Sequence, residues 1–249
     1  MATFVLVHGG WHGAWCWERV VPLLEREGHT VVAPDLPGHG RDAMPLSARP
    51  YEHYVPRVLE ILDAQAEPVI LVGHSSGGMI ISAVAAERPE RIAVLVYLAA
   101  FLLPLGVAPP AVMRDDTESL LIASVVVERE RGVSIMPPER ARAVFYGDCT
   151  NADAAWAIAR LQPEPLVPQG GVEPGGETAS PTTPRAYIET LHDKALGPAT
   201  QRKMVAALPC EKVYALAADH SPFLSTPGEL AHCLLDLAWL FPSRAIGGS

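Results

Sequence analysis

Short apolar segments alternate with longer segments of helical periodicity through the first hundred residues. Residues 3–7 form a β-branched run that ends at a glycine pair, and residues 14–27 then carry apolar side chains at near-helical spacing. The same order returns with an apolar run at 29–33 and a helical pattern at 51–66. Alternating strands and helices are typical of a sheet covered by helices on both faces. The pattern predicts an α/β fold on a mostly parallel central sheet.

A third unit follows in which the strand is more strongly apolar. Residues 68–72 predict a strand, residues 77–87 an alanine-rich helix, and residues 92–100 a run with almost no polar side chain. Strands buried on both faces of a parallel sheet have this continuous apolar character. The centre of the predicted sheet therefore lies in this part of the chain.

The alternation stops between residues 105 and 184, where prolines and glycines are dense and helical stretches are short. A structureless loop of that length is unusual inside a compact domain. We therefore predict an inserted helical cap over 105–184, with residues 1–104 and 185–249 forming the core. Regular alternation then resumes in four predicted elements: a strand at 186–191, a helix at 198–208, a strand at 211–217 and a helix at 227–240.

Composition and charge limit the partners of this chain. Of its 249 residues, 49% are hydrophobic and 19% charged, which suits one large buried core. The formal charge of −9 disfavours nucleic acid and an anionic membrane surface as partners. No basic n-region or run of about 18 apolar residues is present. We expect a cytoplasmic protein, and the oligomeric state stays open, a homodimer included.

The cysteines do not indicate a disulfide framework or a zinc site. Cys16, Cys149, Cys210 and Cys233 lie far apart without a CxxC pair, and buried thiols are the expectation for all four. No spacing typical of a metal or phosphate site occurs elsewhere. We therefore predict no metal and no cofactor.

Candidate chemistry begins at a Gly-x-Ser-x-Gly motif centred on Ser75, between a predicted strand and a predicted helix. The glycines let the chain turn sharply, so that Ser75 is presented at the top of the sheet near the positive end of the helix. The motif alone arises by chance in about one sequence in ten of this composition, and its flanking elements reduce that risk.

A serine nucleophile needs a base and an orienting acid. His220, one of nine histidines, follows the predicted strand 211–217, and Asp193 follows the strand 186–191; ligands of open α/β sheets bind at the carboxyl ends of such strands. The other aspartates between Ser75 and His220 are less suitable, because they lie in the predicted cap or directly beside His220: Asp115, Asp116, Asp148, Asp153 and Asp219. The resulting order is Ser, Asp, His.

Backbone N–H groups are predicted to hold the developing oxyanion. The residue after the nucleophile, Ser76, supplies one of them. The loop after the first strand supplies the second, for which we choose Gly10, where bare backbone can approach a substrate.

Four segments together resemble a known family: HGGWHGAW at 8–15, DLPGHG at 35–40, GHSSGG at 73–78 and ADHSP at 218–222. They are similar to the α/β-hydrolase superfamily, in the branch of methyl salicylate esterases, their bacterial relatives and hydroxynitrile lyases. The resemblance implies the α/β-hydrolase fold and a cofactor-free serine hydrolase acting on carboxylic esters. It also implies that Ser75, His220 and Asp193 form the triad, with Gly10 and Ser76 as oxyanion donors. Apolar side chains of the predicted cap suggest a small, largely hydrophobic substrate: Met113, Phe145, Trp156 and Leu161.

Two positions separate the branches of that family. The lyases carry a threonine after the first-strand histidine and a lysine after the catalytic histidine, where this sequence has Gly9 and Ser221. Ester hydrolysis is therefore favoured over cyanohydrin cleavage. Three alternatives remain: a hydroxynitrile lyase, a lactone- or polyketide-processing enzyme on the same triad, and a non-catalytic small-molecule receptor.

Overall fold

The structure, a computed structural model, describes residues 1–45, 50–104, 106–166 and 183–242. Six strands form one sheet in the order β2-β1-β3-β4-β8-β9, and every neighbouring pair is parallel. The strands of the described residues are β1 (Thr3–Val7), β2 (Thr30–Val32), β3 (Val69–His74), β4 (Ile92–Leu98), β5 (Val126–Glu128), β6 (Val133–Ile135), β7 (Glu164–Pro165), β8 (Arg185–Thr190) and β9 (Lys212–Leu216). The predicted parallel sheet is confirmed.

Helices cover both faces of this sheet. They are α1 (Val21–Arg26), α2 (Tyr54–Asp63), α3 (Gly77–Glu87), α4 (Pro109–Arg114), α5 (Leu121–Ser124), α6 (Pro138–Phe145), α7 (Asn151–Ile158), α8 (Pro198–Ala207), α9 (Pro222–Ser225) and α10 (Pro227–Leu240). Successive side chains of a strand point to opposite faces: Phe4 and Leu6 pack in the cluster that includes α10, whereas Val5 and Val7 pack in the cluster that includes α2 and α3. The sheet therefore separates two apolar cores.

Some predicted elements differ in extent from the observed ones. The helix predicted at 14–27 is divided into a 3-10 turn, Ala14–Trp17, and α1, which has Pro22 in its first turn. Proline lacks the N–H that would continue a preceding helix but fits the start of a new one. The helices predicted at 77–87 and 227–240 have the observed bounds.

The segment between β4 and β8 contains the short helices α4 to α7 and also a small antiparallel sheet, in the order β5-β6-β7. We did not predict this sheet from the sequence, because strands of two or three residues are too short to show an alternating pattern. Leu105 and residues 167–182 of the predicted cap lie outside the described residues. The division into core and cap stays a prediction.

Two further features bear on the sequence predictions. In the described ranges, no helix has both the length and the apolar character that crossing a membrane requires. All four cysteines are free thiols; Cys210 is half-buried, and the other three are buried.

Candidate active site

The predicted nucleophile lies in a strained turn between β3 and α3. Ser75 has a φ of 53°, a conformation that costs a non-glycine residue energy and is frequent at functional sites. Its N–H donates to the carbonyl of Leu98, and its carbonyl accepts the N–H of Gly78. A Cβ at Gly73 would lie 2.6 Å from the carbonyl oxygen of Gly77. The glycine before Ser75 is therefore required by close packing of the backbone.

The predicted base and acid are in direct contact. His220 Nδ1 lies 2.7 Å from Asp193 Oδ2, and the side chains are 2% and 0% exposed. An aspartate that accepts from Nδ1 fixes the neutral imidazole as the tautomer with a free Nε2 lone pair. The structure thus brings together two residues that are 27 positions apart, with the orientation that a general base needs.

Asp193 is itself held by four further donors. Its Oδ1 accepts the N–H groups of Ala195 and Leu196 at 2.7 and 2.8 Å. Its Oδ2 also accepts the Thr190 hydroxyl at 2.9 Å and the Gln201 amide at 3.2 Å. These donors lie in β8, the loop after it and α8, so a strand of the central sheet and the helix that follows it orient this carboxylate.

His74, directly before Ser75, supports His220 from the other side. Its Nε2 donates to the backbone carbonyl of His220 at 2.9 Å, and the two ring centroids are 4.6 Å apart. Burial, together with the nearby His220 and His12, holds the pKa of His74 well below its usual value. His74 is therefore a neutral donor that fixes the backbone at His220.

Ser75 directly follows His74, whose ring packs against that of His220. No hydrogen bond joins Ser75 to His220. Among the described residues, the Ser75 hydroxyl has no hydrogen-bond partner. Catalytic hydrogen bonds are often long in a free enzyme and tighten when substrate binds.

The two predicted oxyanion donors also meet. Gly10 N–H donates to Ser76 Oγ at 2.8 Å, across 66 residues of sequence. A Cβ at Gly9 would lie 2.8 Å from Ser75 Cβ, so the loop after β1 packs directly on the nucleophile turn. Ser75 and Ser76 are both half-buried. The structure places the Gly10 N–H on the hydroxyl of Ser76, a contact that the sequence analysis did not foresee.

The neutral side chain of His12 holds the carbonyl group of Gly10 in the loop after β1. His12 Nδ1 donates to Gly10 O at 2.8 Å, and Tyr146 donates its hydroxyl to His12 Nε2 at 2.9 Å. Burial lowers the pKa of His12 to about 4. With one ring nitrogen protonated, both hydrogen bonds are satisfied at neutral pH.

A carboxylate from the segment between β4 and β8 contacts the same loop. Glu164 Oε2 accepts the Trp11 N–H at 3.0 Å and lies 2.8 Å from His39 Nε2, and Oε1 accepts the Tyr54 hydroxyl at 3.2 Å. Burial alone would lower the pKa of His39, but the Glu164 charge and hydrogen bond outweigh it and raise that pKa. For Glu164 the signs are reversed: burial alone would raise its pKa, but the His39 charge and hydrogen bond outweigh burial and lower it. The two groups form an ion pair beside the loop.

Comparison with known proteins decides the family. Residues 4–232 match the family described as the alpha/beta hydrolase family. The chain belongs to the α/β-hydrolase family. This confirms the predicted fold and the resemblance on which it was based.

Relatives of this hydrolase are similar over nearly the whole chain. The pyrethroid hydrolase of Sphingobium wenxiniae is 37% identical, over 96% of this chain and 88% of that protein. Methylesterase 17 of Arabidopsis thaliana is 31% identical, over 94% and 91%. The structure of tomato methylketone synthase I complexed with 2-tridecanone has a TM-score of 0.84 at 27% identity, over 96% and 98%. The prediction of a carboxylic ester hydrolase agrees with the names of the first two relatives, a pyrethroid hydrolase and a methylesterase, and is confirmed.

Sequence reasoning assigned no role to five residues that the structure places around the predicted site residues: His12, His39, His74, Tyr146 and Glu164. His74 stands inside the serine motif, and His39 in the segment 35–40 that carried the resemblance, so a signal existed for both. Glu164 had none, because it lies in a proline-rich segment far from every motif. The roles of Ser75, His220, Asp193, Gly10 and Ser76 stay predictions.

Proposed function

We propose that this α/β hydrolase cleaves carboxylic esters of small, largely hydrophobic molecules through an acyl-enzyme on Ser75. The observation that carries the proposal is the buried 2.7 Å contact of His220 Nδ1 with Asp193 Oδ2, next to a serine held in a strained turn. This contact at Nδ1 leaves Nε2 of His220 as the nitrogen that can accept a proton. A receptor that only binds ligand has no need of it.

The reaction uses these residues in two half-reactions. Ser75 Oγ attacks the ester carbonyl carbon while its proton passes to His220 Nε2, and the carbonyl π electrons move to oxygen. Asp193 stabilises the imidazolium that results. When the tetrahedral intermediate collapses, the ester C–O bond breaks and His220 returns the proton to the leaving alcohol. Water, deprotonated by His220, then releases the acid and restores Ser75.

Aromatic side chains near His220 support a hydrophobic substrate. The Phe145 ring centroid lies 5.6 Å from that of His220 and 5.9 Å from that of Trp11. Apolar walls with a few polar groups are typical of small-molecule sites. The names of the relatives, a pyrethroid hydrolase and a methylesterase, also support ester substrates.

Two observations disfavour a hydroxynitrile lyase. Position 9 cannot carry a threonine without displacing the nucleophile turn, since even a Cβ there would lie 2.8 Å from Ser75 Cβ. Position 221 is an uncharged serine, and it is fully buried. A ketone-forming reaction is the other enzymatic rival, because a solved relative is named a methylketone synthase.

The test is hydrolysis of p-nitrophenyl butyrate and of aryl and alkyl methyl esters by the wild type and Ser75→Ala. Loss of at least about 1,000-fold in kcat is expected, since the nucleophile is removed. Ser124→Ala, on the helix α5, is the control and should keep full activity. A fluorophosphonate should label the wild type but not Ser75→Ala. Undiminished turnover by Ser75→Ala would disprove the proposal, and cyanide release without ester cleavage would favour the lyase.

The other predictions from sequence remain predictions. They are a cytoplasmic location, a reaction without metal or cofactor, and small molecules rather than nucleic acid or membrane as partners, with a homodimer as one open assembly.

A further inference from the structure

Ser76 carries two polar hydrogens that have no acceptor among the described residues. Its backbone N–H lies outside α3 and makes no hydrogen bond there. Its hydroxyl oxygen accepts the Gly10 N–H at 2.8 Å, but the hydroxyl proton itself has no described acceptor. The residue is half-buried, so both hydrogens can face a bound substrate.

The usual structural role of such a serine does not apply here. Ser76 is the N-cap residue of α3, where a serine side chain normally accepts an N–H from the first helical turn. No such bond is made. The hydroxyl is instead turned toward the loop after β1. Its orientation is therefore explained by Gly10 and not by helix capping.

The position of the hydroxyl is well defined because its partner is fixed. The Gly10 N–H belongs to the planar peptide between Gly9 and Gly10, and the carbonyl of that peptide accepts the His12 N–H at 3.3 Å and His8 Nδ1–H at 2.8 Å. A peptide whose carbonyl is held by two donors keeps its N–H in one direction. Ser76 Oγ consequently stays beside the nucleophile turn, one residue after Ser75.

We propose that the Ser76 hydroxyl is a catalytic oxyanion donor, which acts together with the Ser76 backbone N–H and is polarised by the Gly10 N–H. The inference rests on the proposed ester hydrolysis. In the free enzyme the hydroxyl accepts from Gly10; in the tetrahedral intermediate it also donates its proton as a hydrogen bond to the substrate oxyanion. No covalent bond to Ser76 forms. Accepting one hydrogen bond strengthens the donation of another, so Gly10 contributes through the hydroxyl.

The first experiment compares steady-state hydrolysis of p-nitrophenyl butyrate by the wild type, Ser76→Ala and Ser76→Thr. Ser76→Ala keeps the backbone N–H but loses the hydroxyl, and kcat should fall about 100-fold with KM changed less than threefold, as for loss of one oxyanion donor. Ser76→Thr keeps the hydroxyl and should recover most of that loss. Ser76→Ala also removes the acceptor of the Gly10 N–H, so the melting temperature should fall by about 2–4 °C, and Ser76→Thr should restore it.

The second experiment measures binding to the intermediate state directly. An alkyl trifluoromethyl ketone adds to Ser75 to give a tetrahedral oxyanion, whereas the matched methyl ketone binds mainly without addition. For Ser76→Ala the inhibition constant of the trifluoromethyl ketone should rise about 100-fold, while that of the methyl ketone should change less than threefold. Ser76→Cys, with a weaker donor, should give an intermediate value.

The outcomes separate this inference from the proposed function. Wild-type or faster turnover by Ser76→Ala, with unchanged ketone binding, would overturn the inference: the hydroxyl would then only occupy Gly10 N–H until substrate displaces it. If Ser75→Ala is inactive at the same time, ester hydrolysis on Ser75 still stands. If Ser75→Ala is active, the proposed function fails first.

Discussion

The two halves of the candidate site are supported by different parts of the molecule. Asp193 is held by donors from β8, α8 and the loop between them. The loop after β1 is held instead from the segment between β4 and β8. There Glu164 accepts the Trp11 N–H, the Gln162 N–H donates to Trp11 O at 2.9 Å, and the Trp11 ring donates to Ser134 O.

The difference has a physical origin. Residues at the carboxyl ends of parallel strands inherit the rigidity of the sheet, whereas the loop after β1 contains Trp11 with a φ of 61°. A bulky residue in the left-handed region is stable only when its surroundings hold it. The contacts that hold Asp193 therefore come from the sheet and α8, whereas those that hold the loop after β1 come from the segment between β4 and β8.

The largest expected effect comes from a substitution of Asp193. Asp193→Asn would present an amide N–H to His220 Nδ1, leave the imidazole in the wrong tautomer and lower kcat about 10,000-fold. Steady-state hydrolysis of the p-nitrophenyl ester would measure this fall in kcat. Asp219→Asn is the control and should lose much less activity, because Asp219 accepts hydrogen bonds from Ser221 N–H and the Ser225 hydroxyl rather than from the imidazole. A loss below tenfold for Asp193→Asn would contradict the assigned role.

A smaller effect is expected when the loop half is disturbed. Glu164→Ala removes the acceptor for Trp11 N–H, and the resulting shift of the loop should lower kcat about 10- to 100-fold with little change in KM. Glu164→Gln keeps an acceptor and should lose less. Glu128→Gln removes an exposed ion pair with Arg131 in the same small sheet, and it should be neutral. Equal losses for Glu164→Ala and Glu128→Gln would remove the distinction between the halves.

The ion pair of the loop half should also make stability depend on pH. The pKa of His39 is raised above 6.5 and that of Glu164 lowered below 4.5. The pair therefore stabilises the fold fully between about pH 4.5 and 6.5 and loses its effect as pH rises through the raised pKa of His39. The melting-temperature difference between wild type and Glu164→Gln should become smaller as the pH rises from 6.5 through the raised pKa of His39. A constant difference from pH 5 to 9 would contradict it.

The smallest effect on activity is expected from Tyr146→Phe. This change leaves His12 Nε2 without its donor and should cost about 1–2 kcal/mol of unfolding free energy. His12 still donates to Gly10 O, so kcat should fall less than about threefold. Urea denaturation together with ester kinetics would measure both. A large loss of kcat without a loss of stability would show that the tyrosine acts on the reaction itself.

Local sequence patterns predicted the framework of this protein well. The nucleophile turn was recognisable because a strand, two glycines and a helix follow one another within a few residues. Asp193 and His220 were predicted because each follows a strand, and the structure does place them in contact. The small sheet β5-β6-β7 was missed because such short strands have no periodic signal.

Contacts between distant segments were beyond the sequence. Nothing near Glu164 indicates that it pairs with His39, 125 residues away, and nothing near Ser76 indicates that its hydroxyl meets Gly10. Such contacts depend on where the folded chain returns, which no local pattern encodes.

The sequence by itself determined the parallel sheet, the strand-end positions of the predicted triad and the family, since each of these depends on residues close together in the chain. Only the tertiary structure decided how the loop after β1 is held and that the Gly10 N–H meets the Ser76 hydroxyl. Periodicity and turn residues act over a few positions, but the direction of an N–H or a hydroxyl depends on every segment packed around it.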